Sequence, residues 1–193
     1  IAAKRCLVSR VRFDEFASAF VDAMQGQRMG DPTAAGTDIG PLARADLRDR
    51  LAGQVRDSVS AGADVLCGGE VPRRKGFYYP ATVLSKIPPG SPAEREELFG
   101  PVAALFPVAD DDEAIRIANS TSYGLGASVW TRDPARARHF AAKIEAGSVF
   151  VNGQVKSDPR LPFGGVKDSG FGHEGGIEGL QVYMQSKFVS HLS

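Results

Sequence analysis

Apolar runs of strand length alternate with segments of helical period along most of this 193-residue chain, with only brief turn signals between them. That alternation leaves few architectures. Strands joined through helices lie parallel, and a parallel sheet needs helices over both of its faces. The run Val102-Ala103-Ala104-Leu105-Phe106 is the clearest buried strand, and Gly100-Pro101 breaks the backbone directly before it. The residues ahead of the break, Glu96-Glu97-Leu98-Phe99, are therefore presented on a constrained loop where a strand enters the sheet. Two adjacent carboxylates and an aromatic suit ligand contact there, because α/β proteins carry such side chains on loops held by a rigid frame. A surface acid beside a tucked-in Phe is the plainer alternative.

Around this centre the pattern predicts a strand over residues 5–11, then a helix opened by Phe13-Asp14 with Phe13, Phe16, Phe20, Val21 and Met24 on one face. A polar loop covers residues 32–40, and a second helix covers 43–61 with Leu47, Leu51, Val55 and Val59 on its apolar side. Residues 63–67 read as a short buried strand, and 77–84 as an extended segment in which Pro80 favours an edge or bulge. Asp110-Asp111-Asp112-Glu113 sets acids at the positive end of a helix. Residues 126–130 form a strand with Trp130 in the core, Asp133-Pro134 supplies a cap and a first-turn proline, and 148–152 form another strand. From Gly153 to Gly179 glycines and turns replace regular elements, the composition of a segment that lines a site or an interface. Residues 186–192 read as a terminal strand, which needs a partner edge to stay ordered. The expected fold class is α/β, with a mostly parallel sheet flanked by helices in three layers and a C-terminal strand.

Composition narrows the partners. Apolar content of 42% and charged content of 24% are those of a soluble globular protein, and a chain of this length buries roughly 70% of its unfolded surface. Lys+Arg and Asp+Glu balance at 23 each, so there is no basic excess to bind nucleic acid. No apolar run approaches the ~20 residues of a membrane helix. Cys6 and Cys67 each sit in an apolar run and read as buried thiols of a reducing, cytoplasmic compartment, not as a disulfide. Three His and two distant Cys give no metal-ligand spacing. The opening Ile1-Ala2-Ala3-Lys4-Arg5 has neither Met nor a signal-peptide pattern, as expected of a piece of something longer.

Several motifs occur in one order: Ile1-Ala2-Ala3-Lys4-Arg5, Gly30-Asp31-Pro32, Ile39-Gly40-Pro41-Leu42, Cys67-Gly68-Gly69, Glu96-Glu97-Leu98-Phe99-Gly100-Pro101, Asn119-Ser120-Thr121-Ser122-Tyr123-Gly124-Leu125, Val129-Trp130-Thr131-Arg132-Asp133, Val151-Asn152-Gly153 and Pro162-Phe163-Gly164-Gly165-Val166-Lys167-Asp168-Ser169-Gly170. Over essentially the whole chain this resembles the C-terminal, catalytic-domain portion of the aldehyde dehydrogenase superfamily. The stretch around Lys156-Ser157-Asp158-Pro159 is most similar to its succinate-semialdehyde dehydrogenase branch.

The resemblance implies an NAD- or NADP-dependent enzyme that oxidises an aldehyde, succinate semialdehyde among the candidates, to the acid through a Cys thioester. It assigns residues 1–170 to a catalytic domain and 171–193 to a C-terminal helix and oligomerisation strand, in a homodimer or homotetramer. It places the nucleophilic Cys directly before Ile1 and the general base further upstream, so that no catalytic residue lies in the chain and the chain alone is inactive. Cys6, five residues past the nucleophile's slot, is no substitute. Glu97 matches the carboxylate that binds the nicotinamide ribose, and Phe99 the aromatic beside the nicotinamide ring. Asn152, Ser157 and Phe163 match positions near the substrate, with Ser157 toward a substrate carboxylate. Plainer roles stand beside these: Asn152 as a turn former, Phe163 as core, Ser157 as a solvated hydroxyl. The closing motif Ser169-Gly170-Phe171-Gly172-His173-Glu174 departs from the family, with His173 where Arg is usual. A second reading of the chain is a naturally truncated, non-catalytic relative that serves as a partner subunit or binding module.

Overall fold

The computed structural model describes residues 2–191, and the chain divides into two compact units, Ala2–Thr121 and a second that begins at Ser122. The boundary falls inside the stretch 1–170 that the resemblance treats as one domain.

The first unit contains β1 (Arg5–Ser9), α1 (Phe13–Gln25), α2 (Ala45–Ser60), β2 (Asp64–Cys67), β3 (Thr82–Ser85), α3 (Pro92–Arg95), β4 (Val102–Val108) and α4 (Asp111–Asn119). Its sheet has the order β1-β4-β3-β2, parallel except for β2, which runs antiparallel to β3 at the edge. Strand β4 lies between β1 and β3, and this position between two partners is why its sequence is a continuous apolar run. Its side chains divide with period two. Ala104 and Phe106 join a cluster with Leu51 and Val55 of α2, Tyr79, Leu84 and Leu98. Leu105 joins the opposite cluster, with Ala17 of α1, Val83 and Cys67. Helices therefore cover both faces, as the alternation requires. Asp110 caps α4 by accepting from the Glu113 N–H at 2.8 Å, while the Glu113 carboxylate reaches back to the Ala109 N–H at 2.7 Å.

Several local expectations are corrected. Strand β1 stops at Ser9, because a 3-10 turn over Arg10–Arg12 turns Val11 out to solvent. Strand β2 is not buried: as the sheet's edge it leaves Val65 and Leu66 exposed and buries only Cys67. Of residues 77–84, only those from Thr82 onward join the ladder, since Pro80 has no N–H to give. Cys6 is half-buried and Cys67 buried, both are free, and burial pushes both thiols up, away from the reactive thiolate.

The second unit contains β5 (Tyr123–Gly124), β6 (Gly126–Val129), α5 (Pro134–Lys143), β7 (Ser148–Val151), β8 (Val166–Lys167) and α6 (Gly176–Gln181). Strands β6 and β7 pair in parallel through α5, and β5 pairs antiparallel with β8. Asp133 caps α5 through the N–H groups of Ala135 and Arg136, with Pro134 in the first turn. Trp130 is exposed, not core: it stands just past the end of β6, where the chain turns toward that cap. Gly147 is required by close approach, since a Cβ there would stand 1.8 Å from the Gly164 carbonyl oxygen. Residues 186–191 are exposed and have no ladder partner among the described residues; Leu192, the last residue of the expected strand, lies outside them.

Candidate functional site

The loop between α3 and β4 is built by α2. Ser58, fully buried, donates to the Gln54 carbonyl at 2.7 Å and accepts from the Ala93 N–H at 2.9 Å, which fixes α3 against the helix. Gln54, also buried, extends its amide to the Glu96 carboxylate at 2.7 Å and to the Glu97 carbonyl at 3.2 Å. Leu98 then enters the core beside Leu51 and Val55. With Leu98 inward, the residues on either side of it are left at the surface. Glu97 is exposed and Phe99 is 63% exposed. Gly100 closes the loop over Leu51, and a Cβ at that position would meet the Leu51 methyl at 2.3 Å.

The two carboxylates have separate fates. Glu96 is held by Gln54. Among the described residues none donates a hydrogen bond to the Glu97 carboxylate, which leaves both of its oxygens for an external donor. A cation that acts on this end of the loop is Lys4, just before β1. Its ammonium donates to the Gly100 carbonyl at 2.5 Å, and its own carbonyl accepts from the Ala104 N–H at 2.9 Å. Burial pushes the Lys4 ammonium below its ordinary range, and the charge of Glu97 opposes that shift.

The other three candidates lie in the second unit. Asn152 follows β7 with a left-handed backbone, φ 52°, which Asn tolerates better than most residues. Its amide is occupied at both ends: the oxygen accepts from the Thr131 N–H at 2.9 Å and the nitrogen donates to the Thr131 carbonyl at 2.8 Å. This geometry agrees with a turn-forming role. Ser157 is exposed. One residue on, the Arg160 guanidinium and N–H outweigh the opposing effect of desolvation and hold the Asp158 carboxyl down at about 2. Phe163 is half-buried and exchanges backbone hydrogen bonds with Glu174, both at 2.7 Å, which folds the closing motif back on it. His173, in that motif, is exposed.

A profile of the aldehyde dehydrogenase family matches residues 1–189. The chain belongs to the aldehyde dehydrogenase family. It is 46% identical over 189 residues to a probable succinate-semialdehyde dehydrogenase [NADP(+)] of a Synechocystis species, covering 98% of this chain and 42% of that protein. It is 47% identical, again over 98% of its length, to succinate-semialdehyde dehydrogenase [NADP(+)] 1 of Mycobacterium tuberculosis, of which it covers 41%. The chain thus spans about two-fifths of the length of these relatives. A Mycobacterium tuberculosis aldehyde dehydrogenase solved in complex with NAD+ superposes with a TM-score of 0.89 at 35% identity, over 94% of this chain and 38% of that one. Staphylococcus aureus betaine aldehyde dehydrogenase in complex with NAD+ superposes with a TM-score of 0.91 at 31% identity, over 95% and 37%.

Sequence reasoning singled out the loop of this aldehyde dehydrogenase chain but missed what holds it. Gln54 and Ser58 were legible in principle. They fall on the buried stripe of α2 with Leu51 and Val55, and a polar residue on a core-facing helical stripe needs a specific partner. Lys4 carried no such signal, because its partner lies 96 residues away.

Proposed function

We propose that the protein to which this chain belongs is an NAD(P)-dependent aldehyde dehydrogenase that oxidises succinate semialdehyde to the acid, and that this chain contributes the loop that holds the nicotinamide end of the cofactor. The observation that carries the reading is the pair Glu97 and Phe99, exposed on either side of the buried Leu98 and anchored from α2. The residues fit the group. A free carboxylate accepts from the two hydroxyls of a ribose, and an open aromatic face suits a flat ring beside it. When bound, the nicotinamide supplies the hydride acceptor for oxidation of the aldehyde. Curated relatives with NADP(+) in their names favour NADP among the two nucleotides.

Glu97 and Phe99 orient and do not exchange protons. Oxidation through a Cys thioester needs a nucleophile and a general base, and on this reading both lie in the part of the relatives' length that this chain does not cover. The same reading expects no turnover from this chain alone. Ser157, exposed and one residue before the Asp158–Arg160 pair that stiffens its turn, donates to the far carboxylate of the substrate. Phe163 forms an apolar wall for the aldehyde's stem, and Asn152 positions the loop that follows it by clamping Thr131. The intact assembly is a homodimer or homotetramer.

The test is turnover by the full-length protein with succinate semialdehyde and with butanal, read as reduced nicotinamide. Ser157→Ala should raise KM for the semialdehyde over that for butanal on the order of tenfold, since a hydrogen bond to a charged group is worth roughly 1.5–3 kcal/mol. No aldehyde-dependent reduction by the wild type would sink the reading, and an equal effect of Ser157→Ala on both substrates would remove Ser157 from it.

A further inference from the structure

We propose that Lys4 is a positioning residue for the cofactor loop, acting on the nicotinamide through Glu97 without touching it. The inference rests on the reading of Glu97 given above and adds the residue that sets its place.

The loop is held from two sides. From α2, Gln54 binds the Glu96 carboxylate and the Glu97 carbonyl, so the first half of the loop is fixed by a buried amide. The second half has no such side chain from α2. There the Gly100 carbonyl accepts from the Val102 N–H at 2.9 Å and from the Lys4 ammonium. Lys4 is itself anchored, because its carbonyl is tied to the Ala104 N–H ahead of the β1–β4 ladder, which opens at Arg5 and Ala104. The residue that closes the loop is therefore fastened to the sheet the loop enters. Phe99 stands between the two clamps with its ring open.

Charge makes the choice of lysine more than a peg. A half-buried ammonium costs solvation, and a neutral donor would satisfy the Gly100 carbonyl without that cost. What the charge adds is attraction to Glu97, whose carboxylate opposes the effect of burial on Lys4. An ammonium has three donors, and one suffices for the carbonyl. By holding the Gly100 carbonyl, Lys4 sets where the loop carries the exposed Glu97 carboxylate.

The experiment is a double-mutant cycle in the full-length enzyme with Lys4→Met, Glu97→Gln and the pair. Lys4→Met should lower kcat about tenfold, within the cost of small misplacements of reacting atoms, with little change in the aldehyde KM. In the Glu97→Gln background the same substitution should lower kcat less than twofold, because the group it acts through is gone. Lys4→Arg should restore most of the loss. If Lys4→Met does not fold, Lys4→Gln, which keeps a donor for Gly100 and drops the charge, carries the same comparison. Equal losses in both backgrounds would make Lys4 merely structural and overturn the inference while leaving the role of Glu97 standing. Wild-type kcat in Glu97→Gln would overturn the reading of Glu97, and the inference with it.

Discussion

Two residues show how tightly the loop and its support are specified. Gly100 does not have a positive φ; it is glycine because Leu51 occupies the space a side chain would need. Gly100→Ala should therefore cost about 1–3 kcal/mol through overpacking against a core leucine, read as a lower urea midpoint at unchanged slope. An unchanged midpoint would mean that the loop can back away from Leu51. Tyr79 supports the same cluster, 1% exposed, with its hydroxyl donating to the Gly69 carbonyl at 3.1 Å. Burial pushes its phenol from 10.0 up to about 12. A raised folded-state value means that the unfolded chain gives up this proton first. The stability involved is complete below pH ~10 and is lost as pH rises toward ~12, on the order of 2 kcal/mol. Cys6 and Cys67 push the same way from lower pH, so Tyr79→Phe is the variant that isolates the phenol. It should flatten the fall of chemical stability between pH 10 and 12; an identical alkaline slope in the variant would show that Tyr79 ionises freely in the folded state.

Elements were legible where the sequence carried a local cause. The caps at Asp110 and Asp133 and the strand behind Gly100-Pro101 follow from capping chemistry and apolar period, and they stand where the sequence put them; α2 lies within its expected span but starts two residues later, behind Arg44, which makes no side-chain cap. What was not legible was position in the sheet. A mostly apolar pentad such as residues 63–67 reads alike at an edge and at the centre, and only the order β1-β4-β3-β2 shows that β2 is the edge. Trp130 failed for the same reason, since strand period says nothing of where the strand stops. The C-terminal tail poses the same question outward. Residues 186–191 are exposed, with Phe188 at 91%, and no strand among the described residues pairs with them. We expect deletion of residues 187–193 from the full-length protein to lower its mass in solution by a whole number of subunits, because an apolar extended segment needs a second edge. Light scattering that finds the same assembly with and without the tail would rule it out as an interface element.

At the scale of the molecule, the family was readable because its motifs run in order along nearly the entire chain, and the profile match over residues 1–189 agrees. The candidate site was readable only in part. Glu97 and Phe99 announced themselves beside Gly100-Pro101; Gln54 and Ser58 left only the trace of polar residues on the buried stripe of α2, and Lys4, whose partner lies 96 residues away, left none. Asn152, matched by resemblance to a position near the substrate, pairs its amide with the Thr131 backbone, a contact 21 residues away that the sequence did not signal. Glu97 is central, and its carboxylate accepts a hydrogen bond from none of the described residues. The most direct measurement is kcat, with its primary isotope effect from an aldehyde deuterated at C1, for Glu97→Gln in the full-length protein. Loss of charge and of one acceptor should lower kcat by up to ~100-fold, with only a modest rise in cofactor KM and a larger isotope effect as hydride transfer becomes limiting. A variant that turns over at the wild-type rate with the wild-type isotope effect would contradict the account and leave the loop as architecture alone.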